Sequence, residues 1–491
     1  MTSSATNRPA GQLDISTALS PYSGPWNTRL AAHLLRRAGF GGSPDDVRRL
    51  AGMNVHDAVE SFIHFPPTAG SPAPAGIFDP YAQGILPLQR GGRGMGMQMD
   101  DTARRDKLKD IRRQSRQSII ALQKWWIDRM VTTPAPLQEK MTFFFHGHFT
   151  TAAIQKGVWP SYVYNQNQLF RDHALGNLRD LTLAVSKDPG MLLYLDNARS
   201  AAAHPNENYA RELMELFTLG HGNYTEQDIR ESARAFTGWS VNPRDGQFLE
   251  VARMHDNGTK QFMGRRGNFS GEDIVNIIFQ QPASAKFFAS ELLSFFVYND
   301  PEPQLVDAVA GLLKQHDYNL APVMSRLLMS NVFFSDRAYR ALVKSPVEFV
   351  VGSYKVFGLK ETDRSAQQAL MQMGQILFYP PNVAGWPGGT NWLTSQMMIA
   401  RENFATGLVN SQMMAQSSWL TAVPMDATKA THQLVTYILS DDASPAAETR
   451  VKNYLNGSNT SALGMFSMEN YDERVRGAAY LTMAMPAFQL N

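Results

Sequence analysis

The 491-residue chain contains no cysteine. Disulfides, a thiolate nucleophile, Cys-ligated zinc and iron–sulfur clusters are thereby excluded, and any metal has to rest on carboxylates and the 11 histidines. Long apolar runs are missing as well. The best stretches, Glu291 to Val297 and Glu348 to Leu359, are short and interrupted, so no membrane span is expected. Charge of one sign is not in excess: a net charge of +2 gives no electrostatic footprint for nucleic acid. There is no Walker loop, no strand-bound Gly-x-Gly-x-x-Gly, no His-Glu-x-x-His and no Gly-x-Ser-x-Gly, which removes support for nucleotide binding and for a serine hydrolase. The first 25 residues lack the basic-then-apolar order of a secretory leader, and this N-terminus by itself reads as cytoplasmic.

What is present is core-forming material, 43% hydrophobic residues, in mostly helical patterns. Residues 1–27 show no periodic apolar pattern and are expected to be a flexible tail. After them, 28–491 is expected to form a single helical body with lobes of roughly 28–265 and 266–491 and long Gly/Pro-rich loops at 65–101 and 379–392. The first loop holds an Arg-Gly run and Met95, Met97 and Met99, which read as part of a surface lid or linker. A long amphipathic helix is predicted from Thr102 to Met130, with a basic first half. Others are predicted at Leu137 to His146, Asn177 to Ser186, Asn206 to Leu219 and Glu226 to Phe236, the last opened by the capping box Thr225-x-x-Asp228. Short alternating segments around Asp256-Asn257-Gly258 predict one small β-hairpin at Phe248 to Met263. The fold class is therefore mainly α.

Four constellations carry polar chemistry. In Phe143-Phe-Phe-His146-Gly147-His148-Phe149, a helix ended by Gly147 would leave an extended His-x-His segment with both imidazoles on one side, suited to a metal; otherwise both are core histidines bonded to backbone. In Pro205 to Gly220, Asn208, Arg211, Glu212 and Glu215 fall on one helical stripe. They are either a solvated face or two carboxylates reaching a shared site with Asn208 and Arg211 orienting them. His255, Asp256 and Lys260 share one tight turn, as a base, a carboxylate and an anion-holding cation or simply as turn residues. The loop Tyr379 to Trp392 presents Asn382, Trp386, Asn391 and Trp392, a surface for flat or sugar-like ligands or an anchor to the core. His33 lies on an apolar helix face and reads as a packed core histidine.

In order, Ala32-His33-Leu34-Leu35-Arg36-Arg37-Ala38-Gly39-Phe40-Gly41, Phe145-His146-Gly147-His148-Phe149, Pro205-Asn206-Glu207-Asn208-Tyr209-Ala210-Arg211-Glu212-Leu213, Ala235-Phe236-Thr237-Gly238-Trp239, His255-Asp256 with Lys260, and Asn382-Val383-Ala384-Gly385-Trp386-Pro387-Gly388-Gly389 make a series. It closes with Pro486-Ala-Phe488-Gln489, and it resembles the bacterial domain-of-unknown-function family 1800 from about residue 28 to the C-terminus. Phe145 and Gly147 stand where that family's pattern has Trp and Asn, a change that bears on packing rather than ligation. The resemblance implies a mostly helical bacterial protein, encoded beside members of a second uncharacterised family, numbered 1501, that carry export signals. It thus implies a possible exported partner and a periplasmic or envelope setting if a leader is absent or export is by the partner. It also weights the polar stripe towards a site.

The resulting expectation is a metal-dependent hydrolase acting on envelope or polysaccharide material or on a small molecule. A divalent Zn, Mn or Fe would sit on His146, His148 and Glu212 or Glu215, with the other glutamate as base. Arg211 would orient the carboxylates. His255, Asp256 and Lys260 would handle protons and negative charge, and Asn208, Trp239, Asn382, Trp386 and Trp392 would bind substrate. Two alternatives stand beside it: a metal-free glycoside-cleaving enzyme with a carboxylate pair, and a non-catalytic helical scaffold or carbohydrate-binding accessory.

Overall fold

A computed structural model describes residues 15–65, 74–84, 101–457 and 470–491. The Arg-Gly run with Met95, Met97 and Met99 lies outside these residues, as does 1–14 of the expected tail. Within them the chain is mainly α, with 20 α-helices and two small antiparallel two-stranded sheets. No helix among the described residues is long and apolar enough to cross a membrane.

Helix starts follow local chemistry. Ser43, Thr225, Ser270 and Ser345 each close a capping box with an acidic residue three positions on, and Pro44, Pro136, Pro160, Pro282 and Pro346 occupy first turns, where a missing N–H costs nothing. The long amphipathic pattern becomes the helix Asp101–Thr132, burying Ile119, Leu122, Trp126 and Met130. Such apolar stripes join one contiguous core from Ala18 to Phe488, each fully buried large side chain contributing about 1.5–3 kcal/mol.

Residues 15–27 differ from the expected tail. Tyr22 N–H donates to Met329 O (2.8 Å), Asn331 N–H to Ser20 O (2.9 Å) and Val332 N–H to Ala18 O (3.0 Å), with Ala18 buried. Sequence periodicity misses such a segment because it is held by backbone pairing and not by an apolar stripe. At the other end, Lys344 N–H donates to Gln489 O (2.9 Å) and Asn491 N–H to Leu342 O (2.7 Å), around a Val343–Leu490 bridge.

Two hairpins replace the expected one. Trp239–Val241 pairs with Phe248–Glu250, and Lys260–Phe262 with Arg265–Gly267. Asp256-Asn257-Gly258 lies between them, because Arg234 holds the Asp256 carboxylate with Nε (2.7 Å) and Nη2 (3.1 Å) and so fixes that turn against the helix Glu226–Ala235.

The helix Pro136–His148 carries the residues that matter below, and buried charge fixes its place. Glu139 receives bonds from Trp126 Nε1 (3.0 Å), from Arg129 Nε, and from Arg171 Nε (2.6 Å) and Nη2 (3.0 Å), joining three helices. The next residue, Lys140, is ion-paired with Glu348 of the helix Pro346–Val356. Breaking such a buried pair from one side costs about 3–5 kcal/mol, so the helix is held in rotation as well as position.

Candidate functional site

The helix does not end at Gly147 but continues to His148, so the two histidines of the His-x-His segment diverge instead of lying on one side. His146 points into the core. Its Nε2 accepts the Phe378 N–H at 3.1 Å, and the rings of Trp126, Phe378 and Trp386 stand 5.0 to 5.3 Å away. Burial lowers its pKa to about 3, which keeps it a neutral acceptor.

His148 points the other way, into a cage of Phe144, Phe149, Phe287 and Phe288. Its Nε2 lies 2.9 Å from the carbonyl oxygen of Phe217. A carbonyl only accepts, so Nε2 carries the proton and, in the neutral ring, Nδ1 carries the lone pair. That Nδ1 is 3.9 Å from Glu291 Oε2, too far for a hydrogen bond.

His148, Glu291, Gly147 and Ala384 border two adjoining cavities. One, about 300 Å³, is walled by Phe143, Phe295, Asn299, Gln375, Trp386 and Trp392. The other, about 330 Å³, is bordered by Glu215, Leu216, His221 and Phe287. Glu215 Oε2 accepts the Tyr224 hydroxyl at 2.6 Å, and its Oε1 lies 3.2 Å from His221 Nε2. The two chambers therefore form one groove with the His148 imidazole and the Glu291 carboxylate at the junction, Glu215 and His221 along one arm and aromatic rings along the other. Gly385 brings the covering loop down: at φ +81° its Cα comes so close to the helix end that a Cβ would stand 2.5 Å from Gly147 O. The indole N–H of Trp386 is buried without an acceptor.

A π-helical turn, Leu213–Thr218, shapes the polar stripe. It follows the α-helix Glu207–Glu212 and changes the angular step, so residues aligned by a 3.6 period no longer share a face. Glu215 reaches the groove. Arg211 instead forms a two-pronged pair with Glu226 (2.9 Å each), and Asn208 donates to Leu195 O at 3.2 Å. Glu212 borders neither chamber; burial, then the charge of Glu215, pushes its carboxyl above the usual range.

The turn residues serve the turn. His255 Nδ1 bonds Thr237 O at 2.9 Å. Asp256 is held low by the Arg234 hydrogen bonds, and Lys260, lowered by burial, donates to the Asp256 and Gly258 carbonyls and to Asn268 Oδ1. Trp239 is wholly buried between Phe236 and Phe248, and Asn382 is exposed outside both chambers. So His148, Glu215, Trp386 and Trp392 meet at the groove, whereas His146, Asn208, Arg211, Glu212, Trp239, His255, Asp256, Lys260 and Asn382 do not border it. Among the described residues no three His, Asp or Glu side chains are grouped to hold one metal ion.

Glu291, His221, Asn299 and Gln375 are among the groove residues the sequence reading passed over. Glu291 was visible as the lone charge at the head of an apolar run, and His221 as the residue after the Gly220 helix stop.

A family model described as protein of unknown function (DUF1800) matches residues 33–490. No curated protein and no solved structure matches the chain.

Proposed function

The chain belongs to the DUF1800 family of proteins of unknown function, and from that premise we propose that its groove is the active site of a hydrolase cutting an extended, sugar-rich envelope polymer. The observation that carries this reading is the fixed tautomer of His148. The Phe217 carbonyl holds Nε2–H, and the basic Nδ1 faces Glu291 across 3.9 Å at the junction of the chambers. A water bridging that gap would give one proton to Nδ1 while Glu291 orients it, the arrangement of a general base with its nucleophile. Glu215, held by Tyr224, supplies the second carboxylate of the pair. Trp386, with its unpartnered N–H, and the amides of Asn299 and Gln375 suit sugar rings and their hydroxyls along the tryptophan-lined chamber. An envelope polymer, and an exported partner from family 1501, accord with the resemblance described above.

The test is release of reducing ends from peptidoglycan sacculi and a panel of bacterial polysaccharides. Glu291→Gln and His148→Gln are expected to lower the rate about 10²–10⁴-fold while the chain stays folded. Cleavage of none of these polymers by the wild-type chain overturns the proposal, and binding without cleavage favours the accessory-protein reading. Cleavage abolished by a chelator and restored by Zn²⁺, Mn²⁺ or Fe²⁺ would replace it with the metal-dependent reading.

A further inference from the structure

Away from the groove, a third cavity of about 40 Å³ opens beside the turn after the helix Thr28–Arg37, bordered by Arg36, Phe40, Gly42, Lys344, Ser440 and Phe488. Two of these residues are cations taken out of water. Arg36 is 8% exposed and Lys344 5%. The guanidinium of Arg36 reaches Ser440 Oγ through Nη1 at a long 3.4 Å and lies 5.5 Å over the Tyr339 ring, with the Tyr339 hydroxyl and Asp442 nearby, while no hydrogen bond among the described residues falls on its Nε or Nη2. The ammonium of Lys344 sits 4.0 Å over the ring of Phe488. Neither forms an ion pair among the described residues.

The nearby carboxylates are committed elsewhere. Asp442 is bonded by Arg340 Nε (2.9 Å) and by the Tyr339 hydroxyl, Glu348 by Lys140, and Asp46 by the capping box of Ser43. Arg340, fully bonded to carbonyls and Asp442, adds its own positive charge to the neighbourhood. Burial, followed by the charges of Arg340 and Arg36, holds the Lys344 ammonium well below its usual range. Buried charges are normally matched by a counter-charge and by hydrogen bonds to every donor. Here the carboxylates in reach, Asp442 and Glu348, are already bonded by Arg340 and Lys140, while Arg36 and Lys344 line an empty volume. Space for two or three waters is also space for one small tetrahedral anion.

We propose that this cavity is a binding site for a small oxyanion, phosphate as the free ion or as a monoester group, held by Arg36 and Lys344 with the Ser440 hydroxyl as a third donor. Arg36 offers two free N–H groups in the planar fork that suits phosphate oxygens, and Lys344 supplies a point charge. The assignment gives the Arg36 to Gly41 segment a role that the groove does not use, and it stands independently of the hydrolase proposal.

Inorganic phosphate is titrated into the whole chain by calorimetry and by ³¹P line broadening, against sodium chloride at matched ionic strength. Saturable binding of phosphate but not chloride is expected, weakened at least about tenfold in Arg36→Met and in Lys344→Met. Methyl phosphate binding as tightly as phosphate assigns a monoester group, and its exclusion assigns the free ion. No saturable binding, equal competition by chloride, or unchanged affinity in the variants overturns the site. If Arg36→Met does not fold, Lys344→Met decides, since it removes a charge that burial already disfavours.

Discussion

The ring of His148 and the carbonyl of Phe217, 2.9 Å apart, tie the end of one helix to the π-helical turn of another. That turn leaves the carbonyl without an intrahelical donor, and the imidazole supplies one. His148→Ala is expected to leave a buried acceptor unsatisfied and to cost about 1–3 kcal/mol, more with the void in the aromatic cage. His148→Gln keeps an N–H donor and is expected to cost less. Urea unfolding of the two variants measures the difference.

Glu139 sits wholly buried between Arg171 and Arg129. Burial alone would raise its carboxyl, but the Arg171 hydrogen bonds and the charges of Arg171 and Arg129 overcome this and hold it below the ordinary 4.5. A depressed folded value means stability that is present above 4.5 and is lost as pH falls below it. Glu139→Gln should therefore be destabilised by about 3–5 kcal/mol at neutral pH, with the gap to wild type closing in acid. Denaturant titrations at pH 7 and pH 3.5 check the sign.

Asp188 behaves oppositely. It caps the helix Pro189–Tyr194 through Met191 N–H (2.8 Å) and accepts from Gln166 (3.0 Å), yet no cation among the described residues faces it, and burial raises its pKa from 3.8 to about 7. A raised folded value favours the fold fully below 3.8, and that advantage drains away as pH climbs through about 7. Asp188→Asn removes the charging cost. Relative to wild type it should gain on the order of a few kcal/mol between pH 4 and pH 8, read from paired melts across that range.

Gly385→Ala places a methyl group 2.5 Å from Gly147 O at a φ of +81°. The left-handed backbone alone costs about 1–2 kcal/mol, and relieving the clash must lift the loop that carries Trp386 off the helix end. A lower melting temperature together with a red-shifted tryptophan emission is the expected result; unchanged emission would mean that the loop is not seated through this contact.

Helices were readable because apolar periodicity and capping residues are local: Thr225 with Asp228, Pro136 and the stripe from Ile111 to Met130 announce their elements directly. The groove was only half readable. Trp386, His148 and Glu215 stood out by type and spacing. The pairing of His148 with Phe217 and Glu291, however, depends on contacts between residues 69 and 143 positions apart, which no periodicity encodes. Two local readings also gave way to tertiary forces. Gly147 does not stop its helix, because the staples at Glu139 and Lys140 hold the segment helical to its end. The π-turn breaks the 3.6 count that placed Arg211 beside Glu215.

The closure of residues 342–344 by 489–491 has a bearing on how the chain is made. The segment around Lys344 receives its backbone partners from residues 489–491, which are synthesised long after it. Until then the interior around Phe349, against which Phe488 packs, has an open side. The growing polypeptide thus passes through a long interval with this seam unsealed, and transiently exposed apolar surface of that kind favours aggregation.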